Sequence, residues 1–382
     1  MKRLLFAGLS FGAMFGVSCA NAQSTVTLYG LIDEGLNYTN NAGGHAAWEM
    51  QSGFAQGSRW GLKGEEDLGG GMKALFQLEN GFDVNTGRLG QGGRQFGRQA
   101  YVGIQSPTLG TVTLGRQYDS MVDYVAPLTA NGNWGGYLFS HPFDNDNTDD
   151  SFRLNNTVKY TSNNYAGLTF GGLYGFSNQT NFADNRSYSV GAQYANGPLT
   201  VAASYLQMNN PGSNATGSLT SDTTFSAARE RVWGAGINYT LFTSTTLGFV
   251  YTHTDLSAPT AISGYLSAPL ATVPSTLKFD NYEVNVKHQF TSSLYVGAMY
   301  SFTEGKFNSA GGSAKPKWNQ FGLMADYNLS PRTDVYVQGL YQKLSGSRSG
   351  TNLDAGAFIT GAQAPSTTSN QVLGRVAIRH RF

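Results

Sequence analysis

QVLGRVAIRHRF, residues 371–382, reads as a strand with two unlike faces. Val372, Gly374, Val376, Ile378, His380 and Phe382 fall on one parity, and Leu373, Arg375, Ala377, Arg379 and Arg381 on the other. Side chains alternate with a period of two along a strand, so one face is mostly apolar and the other strongly basic. Most domains end in a few loose polar residues, whereas this stretch carries an aromatic to its last position. An apolar face must be covered, and what covers it decides the fold.

The same alternation recurs along the chain. Val26, Leu28, Gly30 and Ile32 oppose Thr27, Tyr29, Leu31 and Asp33; Trp60 and Leu62 oppose Arg59, Gly61 and Lys63. Tyr282, Val284 and Val286 stand against Glu283, Asn285 and Lys287, and Val335, Val337 and Gly339 share a face further on. Each run alone is a weak signal, but sixteen in series predict an all-β chain. The links after even-numbered strands are short: EDLGGG, SPTLG, NNYAG, NGP, LFTS, TSS and NLSPR. Those after odd-numbered strands are expected to be long, among them residues 39–57 and 119–152. Tight turns at one end and extended loops at the other fit a membrane-crossing barrel better than a soluble sandwich. Hydrocarbon cannot satisfy an open strand edge, so the expected fold is a closed transmembrane antiparallel β-barrel of 16 strands. Phe382 would close it at the short-turn end, facing lipid, with many of the 21 Tyr and 23 Phe at strand ends as aromatic girdles.

Composition agrees. Charged residues are 13% of the chain against about 25% in ordinary globular proteins, and the 49 glycines are nearly twice the usual share. Mean hydropathy is nevertheless −0.28, as a thin apolar skin one residue deep would give. Residues 1–22, MKRLLFAGLSFGAMFGVSCANA, read as a cleaved signal peptide: Lys2 and Arg3, an uncharged run, then Ala20-Asn21-Ala22. Residues 23–382 are then one barrel domain. Cys19, the only cysteine, leaves with the leader, and the near balance of 25 basic and 24 acidic residues argues against nucleic acid.

Several blocks carry a resemblance: SRWGLKGEEDLGGGMKALFQLENGF, FGRQAYVGIQSPTLGTVTLGRQYD, RLNNTVKYTSNNYAGLTFGGLYGF, YNLSPRTDVYVQGLYQK and VAIRHRF. In combination they resemble Gram-negative general porins of the beta-proteobacterial type over the whole mature chain. The resemblance implies a homotrimer in the cell outer membrane, among lipid and lipopolysaccharide, passing small hydrophilic solutes and ions by passive diffusion. It implies a third loop folded into the lumen, and a C-terminal aromatic, Phe382, read by the outer-membrane assembly machinery. It also implies basic wall residues facing acidic groups on that loop: Arg59, Arg98 and Arg153, with Arg116 and Lys63 as possible second members, against Asp119, Asp123, Asp144, Asp146, Asp149 and Asp150.

Parity bears on these residues unevenly. Arg59 and Lys63 share the face opposite Trp60 and Leu62, and Arg153 that of Asn155, Thr157 and Lys159, all reading as lumenal. Arg98 shares parity with Val102 and Ile104, and Arg116 with Val112 and Leu114. Either an apolar inner wall packs the infolded loop there, or a bulge resets the faces. DNDNTDD (144–150) brings a calcium loop to mind but lacks the central glycine and distal glutamate of an EF-hand. His45, His141, His253, His288 and His380 do not cluster at metal-ligand spacing, so no metal or cofactor is expected. No GxSxG or HExxH occurs, and the expectation is a channel and not an enzyme. The alternatives are a substrate-specific outer-membrane channel or barrel enzyme, and a soluble exported binding protein such as a lectin.

Overall fold

A computed structural model describes residues 25–220, 222, 224–262 and 274–382; the expected leader lies outside them. The described residues form a closed antiparallel barrel. Its strands are β1 (Thr25–Ala42), β2 (His45–Ser52 and Arg59–Gly69), β3 (Met72–Gly81), β4 (Gln99–Ser106), β5 (Gly110–Gln117), β6 (Leu154–Thr161), β7 (Leu168–Gly175) and β8 (Ser187–Asn196). They continue as β9 (Leu199–Asn209), β10 (Arg229–Leu241), β11 (Thr245–Ser257), β12 (Thr276–Gln289), β13 (Leu294–Ser309), β14 (Gly312–Ala314 and Pro316–Asn328), β15 (Thr333–Gly346) and β16 (Asn370–Arg381).

All seven links after even strands are short turns, as the sequence predicts. The long-loop side departs from expectation twice. β1 does not end at Thr39 but runs on to Ala42 and turns through Gly43 and Gly44, whose φ values of +64° and +103° suit residues without a Cβ. β13 likewise passes into β14 through a tight turn at residues 310–311. These hairpins stand up as strand where loops were expected.

The barrel closes between β16 and β1, in register from Leu31 opposite Arg381 to Thr39 opposite Leu373. Two further bonds extend the seam, Gly30 N–H to the Phe382 carbonyl (3.1 Å) and Phe382 N–H to the Gly30 carbonyl (3.0 Å). The Phe382 ring lies over Gly30 on the outward face, where a Cβ would stand 2.4 Å from its Cζ. Outward positions of β1, β4, β5 and β16 are aliphatic and exposed: Val26, Leu28, Ile32, Val102, Ile104, Val376. Those of β10 to β14 are banded instead. Tyr251, Tyr282 and Phe302 are direct cross-strand neighbours, and towards the long-loop side come two charged rows. One is His253, Asp280, Glu304 and Lys317; the other is Arg231, Asp255, Lys278 and Lys306.

Inside, the seam is held by one fully buried group. Arg375 donates to Asp33 Oδ1 (3.0 Å), Asn37 Oδ1 (2.9 Å), the Gln51 carbonyl (3.0 Å) and the Tyr336 hydroxyl (3.0 Å). The Tyr336 hydroxyl in turn donates to Asp33 Oδ1 (2.7 Å). The other Asp33 oxygen accepts from Ala55 N–H (2.8 Å) and Gln56 N–H (2.9 Å). That draws residues 53–58 out of β2, and Phe54 stacks beneath the Arg375 guanidinium at 4.8 Å.

The third loop, residues 118–153, packs against the inner wall as a series of short helical turns, and the buried apolar clusters lie where it touches strands. It is seated in three sockets left by wall glycines. A Cβ on Gly191, Gly297 or Gly322 would come within about 2.5 Å of the rings of Tyr124, Trp134 and Phe139. The 53–58 detour is the fourth support, since Tyr137 N–H donates to the Phe54 carbonyl (2.7 Å).

Removing one partner of a buried ion pair leaves the other charge uncompensated. Asp33→Ala is therefore expected to lower stability by about 3–5 kcal/mol, and Asp33→Ala/Arg375→Ala by clearly less than the sum of the two singles. The midpoint of urea unfolding followed by tryptophan fluorescence measures both; additive losses would separate the two residues energetically.

Candidate pore constriction

A cavity of about 740 Å³ runs inside the barrel, from Gln91 and Asp222 near the long-loop side to Asn328 and Arg381 near the short-turn side. Arg59, Arg98 and Arg153 line it, as do Asp149 and Asp150. Three of the expected basic residues therefore meet two of the loop carboxylates in one space.

Their contacts explain the arrangement. Arg59 opens the second segment of β2 and Arg98 lies just before β4, so the parity of Val102 and Ile104 does not reach it. Arg98 donates from Nε to Glu79 Oε1 (2.8 Å) and from Nη2 to the Tyr118 hydroxyl (2.8 Å) and Asp150 Oδ2 (3.3 Å). Arg153 donates to Asp150 Oδ1 (2.5 Å), with its guanidinium over the Tyr118 ring. Arg59 stands 3.9 Å from Glu79 and keeps a fifth of its side chain exposed. Burial alone would lower the Arg98 pKa, but Tyr118, Asp150 and Glu79 raise it above the ordinary arginine value. Asp149 moves well upward, through burial first and then the neighbouring Asp144 and Asp150 carboxylates.

The apolar inner wall considered for β4 and β5 does not exist: Val102, Ile104, Val112 and Leu114 point outward and are exposed. Arg116 sits where the β5–β6 register slips between Gly115 and Gln117, which is the bulge alternative. Its guanidinium is taken up by the Gly97 and Arg153 carbonyls, Asn155 Oδ1 and Asp222 Oδ2 (2.5 Å), and it is not among the cavity-lining residues. Lys63 is also outside the lining set, its ammonium 5.5 Å from the Tyr29 ring centre.

Four loop carboxylates turn away from the cavity because the loop needs them for its own docking. Asp119 accepts from Met121 N–H and Asn147 Nδ2 (2.7 Å each), and Asp144 accepts from the backbone N–H groups of Asp149 (3.0 Å) and Ser151 (3.2 Å). Asp123 pairs with Lys159. Asp146 binds His141 Nδ1 (2.6 Å) and accepts from Thr252 on β11 (2.5 Å). His141 Nε2 lies 3.3 Å from Glu283 of β12, so a wholly buried imidazole bridges loop and wall. Of the carboxylates of DNDNTDD, those of Asp144, Asp146 and Asp150 are thus engaged by protein donors. Sequence reasoning passed over Glu79, the hub between Arg59 and Arg98; its lumenal parity with Gln77, opposite Gly61, was the available signal.

Burial by itself would depress the His141 pKa, but Asp146 and Glu283 lift it from 6.5 to about 10. A raised histidine contributes fully below its unfolded value and loses that contribution as pH climbs through the folded one. The difference in thermal midpoint between the wild type and His141→Gln should be largest below about pH 6.5 and shrink as pH rises through 10; a difference flat from pH 6 to 10.5 would contradict this.

A family model described as Gram-negative porin matches residues 9–347. An outer membrane porin protein of Bordetella pertussis is 33% identical over 419 aligned residues, covering 100% of both chains. Outer membrane porin protein 32 of Delftia acidovorans is 30% identical over 54% of this chain and 60% of its own. Among solved structures, an anion-selective porin from Comamonas acidovorans superposes with a TM-score of 0.70 at 22% identity, covering 94% of this chain and all of the other. OmpT of Vibrio cholerae in its trimer form gives 0.64 at 16%, covering 94% and 99%.

Proposed function

The chain belongs to the Gram-negative porins, and we propose that its pore favours anions. As an outer-membrane porin it forms a water-filled channel for passive diffusion of small hydrophilic solutes, and its porin relatives indicate a channel rather than an enzyme. The charge at the narrowing carries the selectivity reading. Arg59, Arg98, Arg153, Lys287, Arg379 and Arg381 line the cavity against Asp83, Asp149, Asp150 and Asp222, and burial biases Asp149 towards its neutral form. Fixed charges at the narrowest point set which ions enter. The arginines meet their carboxylates as local ion pairs, so the preference rests on the cationic excess and on Arg59, a fifth exposed and only 3.9 Å from Glu79, more than on a field across the pore. The similar porin from Comamonas acidovorans is itself described as anion-selective.

A homotrimer is supported by the trimeric form of the similar OmpT and by the aliphatic sector on β1, β4, β5 and β16, which suits a neighbouring subunit. The charged rows over the aromatic band of β10 to β14 suit the phosphorylated headgroups of lipopolysaccharide at the outer leaflet. Phe382, pressed on Gly30 at the seam, is assigned as the residue read by the assembly machinery.

Arg59→Glu and Arg153→Glu should each lower the chloride-to-potassium permeability ratio, read from the reversal potential of the purified protein in a planar bilayer under a potassium chloride gradient. An unchanged potential in both variants would remove these residues from the constriction. Phe382→Ala should reduce the amount of heat-modifiable trimer in the outer membrane while leaving the conductance of each assembled channel near wild type. Wild-type trimer levels would refute the assignment.

A further inference from the structure

We propose that Lys287 is a second anion station, a site for small inorganic anions and carboxylates on the wall opposite the arginine cluster and nearer the short-turn mouth. It deepens the anion-selective reading above and rests on it. Lys287 is an inward residue near the end of β12, between cross-strand partners Thr246 and Gly297. In a ring of sixteen strands, β12 stands half the circumference from β4, beside which Arg98 enters. Lys287 lines the same cavity as the arginines, together with Tyr295, Asn328, Arg381 and the loop residues Asn133 and Trp134.

What distinguishes it is its charge environment. Every other described cation lining the cavity has a carboxylate within 4 Å: Glu79 for Arg59 and Arg98, Asp150 for Arg153, Asp326 and Asp334 for Arg379, and Asp334 for Arg381. Among the described residues Lys287 has none. Its ammonium lies 4.3 Å from the centre of the Tyr295 ring, whose face offsets part of the cost of leaving bulk water without cancelling the charge. A paired guanidinium presents a dipole to a passing ion, and a dipole's field falls off faster with distance than that of a lone charge. Asp326, whose charge reaches Lys287 from beyond 4 Å, and Asp334 are fully buried behind Arg379, Arg381 and the Tyr295 hydroxyl, so the charged groups around Lys287 that a solute meets directly are cationic. An anion released from the Arg59 side therefore encounters a second attractive point before it reaches the short-turn mouth.

The test measures reversal potentials in planar bilayers under a potassium chloride gradient for the wild type and for Lys287→Arg, Lys287→Gln and Lys287→Glu, each checked as a heat-modifiable trimer. The expected result is a permeability ratio close to wild type in Lys287→Arg, at least twofold lower in Lys287→Gln and lower again in Lys287→Glu. Inorganic pyrophosphate added at the short-turn mouth should block chloride current in the wild type, and several-fold more should be needed in Lys287→Gln. Unchanged ratios in Lys287→Gln and Lys287→Glu, with Arg59→Glu still shifting the potential, would overturn the station while leaving the anion-selective reading intact. A wild type that prefers potassium would overturn both. Block of equal strength in wild type and Lys287→Gln would likewise overturn the assignment.

Discussion

Asp33 and Arg375 lie 342 positions apart, and the interior is organised around their contact. The pair sits on the first and last strands, out of water, where neither charge could stay alone at modest cost. Its remaining donors and acceptors are used up by Asn37, Tyr336 and the backbone of residues 51, 55 and 56. One carboxylate oxygen fastens the seam and the other pulls the chain out of β2 into the lumen. The displaced segment presents the Phe54 carbonyl to Tyr137, so the third loop rests on a shelf that exists because the barrel is closed.

The strand framework was readable because lipid imposes a rule on every second residue. Val102 and Ile104, or Val376 and Ile378, are apolar because they face out of the barrel, and the structure exposes all four. Turn length was readable at the short-turn end, where the strand must reverse at once. It misled at Gly43 and Gly44 and at residues 310–311, because a hairpin that rises beyond the membrane has the polar composition of a loop. Where regular strand ceases, parity loses its meaning: Arg98 precedes β4 and Arg116 sits at a register slip, so neither could be assigned by counting.

The candidate site was legible in kind and only partly in detail. An inward arginine beside a carboxylate-rich loop implies pairing, and Arg98 and Arg153 do meet Asp150. Which carboxylates are spent on docking could not be told from the sequence, since Asp119, Asp144 and Asp146 find their donors through the fold of the loop and through Thr252 on a distant strand. Glu79 and Lys287 obey the same alternation as their neighbours. What marks them out is the presence of charged partners on the neighbouring strands for Glu79 and the absence of any within 4 Å for Lys287, and that is settled only by the folded wall.

The glycine sockets have a consequence for the order of events. The third loop follows β5 and leaves the ribosome early, yet the recesses that receive Tyr124, Trp134 and Phe139 belong to β8, β13 and β14. Contacts spanning so much of the chain can form only after their far members are in position. The segment that folds into the lumen is thus made early and seated late, and a nascent barrel passes through a stage at which its wall is continuous while that segment is still unseated.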